Sequence, residues 1–298
     1  MPSSEHDGIV ALIKSEPPRG SSGDPVAEAR RGLDSMGALF AVPPSMVVES
    51  FTVSGRDAEW LTPATVAKGR HLLYLHGGAY VAGSLNSHRS LVGRLAVAMQ
   101  ATAVHLDYRL APEHPAPAAL DDAVGLYEHL CSLGVQPEQV IVAGDSAGGG
   151  LALALTLRLR ELGLAAPSAL VLLSPWLDLT MTSPESTELQ DSDPMLTAAS
   201  LLESANLYGG DDLTSHLVSP INGDFTGLCP ALVFASSSEI LVGDTRTFAK
   251  KAAAAGASVT VCEFDGLIHV WPFVDGLPET TAVMEEVTQF VEAHFLAT

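Results

Sequence analysis

With 298 residues, 47% of them apolar, the chain can bury one large core or two small ones and is not a disordered tail. Asp and Glu number 35 against 15 Lys and Arg, a formal charge of -20 at pH 7, although only 17% of residues are charged. That balance excludes a nucleic-acid partner bound by phosphate neutralisation, and it equally excludes docking on anionic lipid.

The chain opens on polar and acidic residues, with no cationic start leading into an apolar run, and no apolar stretch reaches the roughly 20 residues that span a bilayer. Three widely spaced cysteines, Cys131, Cys229 and Cys262, supply neither a disulfide framework nor a C-x-x-C metal knuckle. A soluble, cytoplasmic protein without stable membrane association is expected. Residues 1–45 read as an arm, with helix-like pieces at Gly8 to Lys14 and Val26 to Phe40 around a Pro/Gly/Ser-rich break from Pro17 to Pro25. Residues 46–298 read as one domain.

Extended segments are predicted at Met46 to Ser54 and near Trp60. Short apolar runs follow at His71 to His76, Ala103 to Tyr108, Val140 to Ala143, Ala169 to Leu173, Ala231 to Ala235 and Val259 to Phe264. They alternate with amphipathic stretches at Ser87 to Met99, Ala116 to Leu133, Ala147 to Leu162, Asp244 to Ala255 and Glu279 to Phe295. Buried strands alternating with helices predict an α/β fold, a mostly parallel sheet with helices on both faces. Between the fourth and fifth runs lie residues 174–230, far more than a crossover needs, including a helix-like piece at Thr197 to Leu207. An insertion of that kind, about 178–215, is expected to cover a site.

In open parallel sheets the chemistry sits where strands run into helices. Val140 to Ala143 is followed by Gly144-Asp145-Ser146-Ala147-Gly148, then a helix: G-x-S-x-G in the strand, turn, helix setting of a nucleophile elbow. A plain glycine turn with an N-capping serine is the bland alternative. A dinucleotide-binding turn is the sharper one, but its middle glycine would be Ser146 and the next strand ends in Leu173-Ser174 without a ribose-binding acid.

A serine nucleophile needs a base, and on this fold acid and His follow it in that order. Of His216, His269 and His294, the first precedes the strand Ala231 to Ala235 and the last sits in the terminal helix, which leaves His269. Among candidate acids, Glu239 stands just past that strand. Asp244 is placed to cap the helix beginning at Thr245, and Asp265 belongs to a turn. Gly77 and Gly78, after the strand ending at His76, with Ala147 after the nucleophile, are the expected oxyanion-hole donors. His76 reads as a brace for that loop, and Asp145 as a structural hydrogen-bonding residue pointing away from the serine.

Together His76-Gly77-Gly78-Ala79-Tyr80, Asp107-Tyr108-Arg109-Leu110-Ala111-Pro112-Glu113, Gly144 to Gly149, Ser174-Pro175-Trp176-Leu177-Asp178 and His269 resemble the bacterial hormone-sensitive-lipase-like esterases, a family of α/β-hydrolases. The resemblance runs from about residue 70 to 275. Ala79 stands where the family often has a third glycine, and Glu239-Ile240-Leu241 follows the branch with Glu as the triad acid. The resemblance implies hydrolysis of short-chain carboxylic esters through an acyl-enzyme on Ser146, a cap built from the arm and the insertion, support of the oxyanion loop by Asp107 to Glu113, and neither metal nor cofactor. It leaves lactone hydrolysis as an alternative, or a non-catalytic ligand-binding role like that of the plant gibberellin receptors, which lack the triad histidine. The partner is a small ester, and a homodimer is compatible with this reading. The acidic excess, including Glu185, Glu188, Asp191, Asp193, Asp211 and Asp212, is read as solubility.

Overall fold

The computed structural model describes residues 1–15 and 23–295. Most of the Pro17 to Pro25 break therefore lies outside the described residues. Eight strands form one sheet: β1 (Val47–Val53), β2 (Arg56–Thr62), β3 (His71–Leu75), β4 (Thr102–Leu106), β5 (Val140–Asp145), β6 (Ala169–Leu173), β7 (Ala231–Ser236) and β8 (Val259–Phe264). Their spatial order is β1-β2-β4-β3-β5-β6-β7-β8. β2 runs antiparallel to both β1 and β4, and every other pair is parallel.

All six predicted apolar runs are strands, for the reason the sequence suggested. In β3 to β7 nearly every residue is buried because helices cover both faces. Leu73, Leu75, Val142 and Leu172 face one core, with α4 (Ala118–Ser132), α5 (Ala147–Glu161) and α8 (Val242–Ala254). Their alternates Leu72, Tyr74, Ile141 and Val171 face the other, with α3 (Leu85–Met99) and α9 (Pro278–Phe295).

Ahead of the sheet stand α1 (Ser4–Ser15) and α2 (Pro25–Gly37), the latter capped by Asp24, whose carboxylate accepts from the Val26 and Ala27 N–H groups. The long β6–β7 connection carries α6 (Glu185–Glu188) and α7 (Ala198–Gly209), the latter capped by Thr197. No helix among the described residues is long and apolar enough to cross a membrane.

Asp244 does not cap a helix beginning at Thr245: α8 starts at Val242, and the buried Asp244 carboxylate instead accepts from Leu177 N–H and Asp178 N–H, both at 2.8 Å. It ties α8 to the segment leaving β6. Burial pushes its pKa up to about 8, against the opposing pull of those two donors. A carboxyl held protonated in the fold but ionised in the unfolded chain lowers stability as pH rises from the ordinary carboxylate range toward that value. Asp244→Asn keeps the acceptor and is expected to flatten that slope, whereas Asp244→Ala leaves two buried N–H groups unpaired at about 1–3 kcal/mol each. Urea midpoints at pH 5 and pH 8 read both effects, and a slope unchanged in Asp244→Asn would count against them.

Candidate active site

Strand β5 delivers Ser146 at φ 52°, ψ -122°, a conformation strained for any L-residue, at the N-terminus of α5. The backbone over-determines it. Ser146 N–H donates to Leu173 O at 2.9 Å, and Ser146 O accepts from Trp176 N–H at 2.9 Å and Gly150 N–H at 3.1 Å. The two glycines of the elbow are required by close approach: a Cβ on Gly148 would stand 2.1 Å from Leu75 O, and one on Gly144 would stand 2.3 Å from Gly148 O. Among the described residues Ser146 makes no side-chain capping bond, so the N-cap alternative does not describe its role.

His269 lies in the loop between β8 and α9, where the sequence set it. Its Nδ1 donates to Glu239 Oε2 at 2.6 Å, and the other Glu239 oxygen accepts from Ser236 N–H at 2.9 Å. Both residues are buried, and among the described residues His269 Nε2 has no hydrogen-bond partner. Burial pulls the imidazole toward its neutral form, but the hydrogen bond and charge of Glu239 outweigh this and leave its pKa raised. Ser174, at the end of β6 beside Leu173, accepts from Val270 N–H at 3.2 Å through its hydroxyl. One bond thus joins the base's loop to the strand end on which Ser146 hangs. Of the other histidines, His216 pairs with Glu161 and His294 bonds Phe290 O, both exposed. Exposed Asp265 accepts from the Ser237 hydroxyl at the turn after β8.

The loop after β3 departs from expectation at one position. Gly77 gives its N–H to Asp145 Oδ1 at 2.9 Å and so is not free to receive an oxyanion. Gly78, Ala79 and Tyr80 follow with φ of 118°, 54° and 63°. Successive residues of that kind form a turn whose N–H groups converge. Neither Gly78 nor Ala79 donates its N–H to another group among the described residues, and Ala147 is the first residue of α5, where an N–H has no helical acceptor.

Asp145 does hydrogen-bond away from the serine, and its reach is larger than the sequence suggested. Besides Gly77 it accepts from Tyr74 Oη at 2.6 Å, and His88 Nε2 stands 3.4 Å from its second oxygen. Burial opposes its ionisation, but the charge of His88 and the hydrogen bonds from His88, Tyr74 and Gly77 prevail and hold it down at about 2. His76 braces the loop as expected: its Nδ1 donates to Gly77 O, its ring stacks on Tyr108 at 4.2 Å, and Tyr108 Oη donates to His76 O. The Asp107 to Glu113 segment also accepts Arg30 from α2, which reaches Val81 O, Ala111 O and Glu113.

The insertion touches both halves of the site. Tyr208 of α7 stacks flat on Tyr80 at 3.8 Å, and Asp193 Oδ2 accepts from Ile240 N–H at 3.1 Å, next to Glu239. Asp193 is buried, which corrects its reading as a solubilising acid. Glu185 likewise pairs with Arg246.

The chain has counterparts among known proteins. Residues 72–273 match the family described as alpha/beta hydrolase fold. The chain is 41% identical over 263 residues to an acetyl-hydrolase of Streptomyces hygroscopicus, covering 88% of this chain and 86% of that one. It is 36% identical over 261 residues to an esterase of Acinetobacter venetianus, covering 87% and 86%. A crystal structure of an esterase from the bacterial hormone-sensitive lipase family superposes with a TM-score of 0.93 at 34% identity, over 99% of each chain. The chain belongs to the bacterial hormone-sensitive-lipase-like esterases of the α/β-hydrolase family. It thereby stands among the carboxylesterases. EstE5, whose crystals were soaked with p-nitrophenyl butyrate, is similar to the same extent, with a TM-score of 0.93 and 36% identity over 99% of this chain and 100% of that one.

Proposed function

We propose that this carboxylesterase cleaves short-chain acyl esters through an acyl-enzyme on Ser146, with His269 as general base and Glu239 as its orienting acid. The observation that carries the reading is the buried Glu239–His269 pair, with His269 Nε2 unpartnered among the described residues, on a loop tied through Ser174 to the strand end beside the Ser146 elbow. With Nδ1–H committed to Glu239, Nε2 carries a lone pair and can take the Ser146 hydroxyl proton as Oγ attacks the ester carbonyl. The tetrahedral oxyanion is received by the N–H groups of Gly78, Ala79 and Ala147. Nε2–H then protonates the departing alcohol, and water deprotonated by His269 releases the carboxylic acid.

A short acyl chain fits the cover over the site. Ser146 and His269 are 7% and 5% exposed. The insertion closes on the oxyanion loop through Tyr208 and on the acid loop through Asp193. We read α2 with α6 and α7 as the cap. Acetyl-hydrolase and esterase relatives support this choice of substrate. Rates on p-nitrophenyl esters with two to sixteen acyl carbons, measured beside simple lactones, are expected to peak at two to four carbons and fall at least about tenfold by eight, as a pocket that cannot seat added methylenes requires. A maximum at long chains or on lactones would overturn the substrate assignment.

A further inference from the structure

We infer that His6, in the N-terminal helix, is a positioning residue for the catalytic base. The inference rests on His269 acting as that base. Helix α1 is largely solvent-facing, and the one side chain it buries is a histidine, 1% exposed. Its Nε2 accepts from Ile268 N–H at 2.9 Å, the peptide immediately ahead of His269. An imidazole accepts at Nε2 only when neutral, with its proton on Nδ1. Burial lowers its pKa, against the pull of Glu279 and Asp7, and so maintains that state.

The loop around His269 needs external ties. Val270 is β-branched and sits at φ 49°, a conformation such residues hold only when their surroundings impose it. Three bonds do so. The Ser236 hydroxyl donates to Leu267 O at 2.6 Å, Ser174 Oγ accepts Val270 N–H, and His6 accepts Ile268 N–H between them. Ser174 and Ser236 stand at the strand ends that frame the site, whereas His6 comes from 262 residues away in sequence. The helix carrying it is itself fastened: Ser3 donates its N–H and its hydroxyl to Glu279 of α9, and Ile9, Val10 and Ile13 pack on the core containing Leu267, Ile268 and Trp271. The N-terminal helix therefore works on the orientation of the base.

The test compares His6→Leu, which keeps apolar bulk but has no acceptor, with His6→Gln, whose amide oxygen can take the place of Nε2. Wild type, His6→Leu and His6→Gln are assayed on p-nitrophenyl butyrate, and the far-downfield proton resonance of the His269–Glu239 hydrogen bond is recorded for each. His6→Leu is expected to lower kcat by about 10- to 100-fold, as misplacing a reacting group by a fraction of an ångström does, with KM within about twofold. It should also shift or broaden the downfield resonance, and His6→Gln should recover most of both. A His6→Leu enzyme with wild-type kcat and resonance overturns the inference, as does a His6→Gln enzyme no better than His6→Leu. Should His6→Leu not fold, nitrogen chemical shifts of wild-type His6 decide: an Nδ1–H tautomer with slow exchange at Ile268 N–H sustains the inference, and an Nε2–H tautomer overturns it. Lack of ester turnover by wild type would instead remove the catalytic reading beneath it.

Discussion

Ser146→Ala is expected to lower kcat on p-nitrophenyl butyrate by about 10⁴- to 10⁶-fold, the range seen when a nucleophile acting in concert with its base is removed. The backbone at this position is imposed from outside the side chain. Leu173, Trp176 and Gly150 hold its N–H and carbonyl, and the close contacts at Gly144 and Gly148 leave the turn no room to relax. Alanine therefore meets the same strained φ, and the fold and the donors at Gly78, Ala79 and Ala147 should survive. Ester binding should weaken little, and a small residual rate should persist from the oxyanion donors alone. Circular dichroism and KM check that the loss is chemical. Turnover within tenfold of wild type would remove Ser146 as the nucleophile.

The second large effect is expected at Glu239. Glu239→Gln preserves size and the bond from Ser236 N–H, but it can turn an amide N–H toward His269 Nδ1, where the native carboxylate accepts. The imidazole then favours the tautomer with its proton on Nε2, which cannot accept the serine proton. A loss of about 10³- to 10⁴-fold in kcat follows. The pH dependence carries an independent signature. His269 must be neutral to act, and its pKa is raised chiefly because Glu239 outweighs burial. In wild type kcat/KM should fall as pH drops through a midpoint above 6.5, and in Glu239→Gln that limb should move to lower pH. The linked stability has the opposite sense. The pair's contribution is full below the unfolded histidine's pKa and is lost as pH rises through the raised folded value. Asp244→Asn, which changes another buried carboxyl group near this strand end, should leave kcat within about threefold, because Asp244 serves the backbone of Leu177 and Asp178 and does not touch His269.

What the sequence made legible was local. Short apolar runs became strands because both sheet faces are covered, so burial and continuity in sequence coincide. The elbow was readable because its close backbone contacts require glycines two residues to either side of the serine. Glu239 was readable because an acid just past β7 and a histidine just past β8 must meet when those strands are neighbours. What escaped depends on partners distant in the chain. Asp244 resembles a helix cap until Leu177 and Asp178, more than 60 residues earlier, are brought against it. Gly77 resembles its neighbour Gly78 until Asp145 claims its N–H. Asp193 looked like a solvated acid in an acidic stretch until Ile240 turned its N–H onto it, and His6 carried no signal, standing ahead of the helix-like piece read at Gly8 to Lys14.

The central claim, a covalent acyl-enzyme on Ser146 generated by His269, is tested most directly by intact-mass and peptide mass spectrometry after treatment with a p-nitrophenyl alkylphosphonate. The account predicts one adduct per chain, on the peptide containing Gly144-Asp145-Ser146, with loss of esterase activity in step with labelling and little labelling of His269→Ala in the same interval. Complete inactivation with the adduct on another residue, or full activity retained by a chain labelled at Ser146, would contradict it.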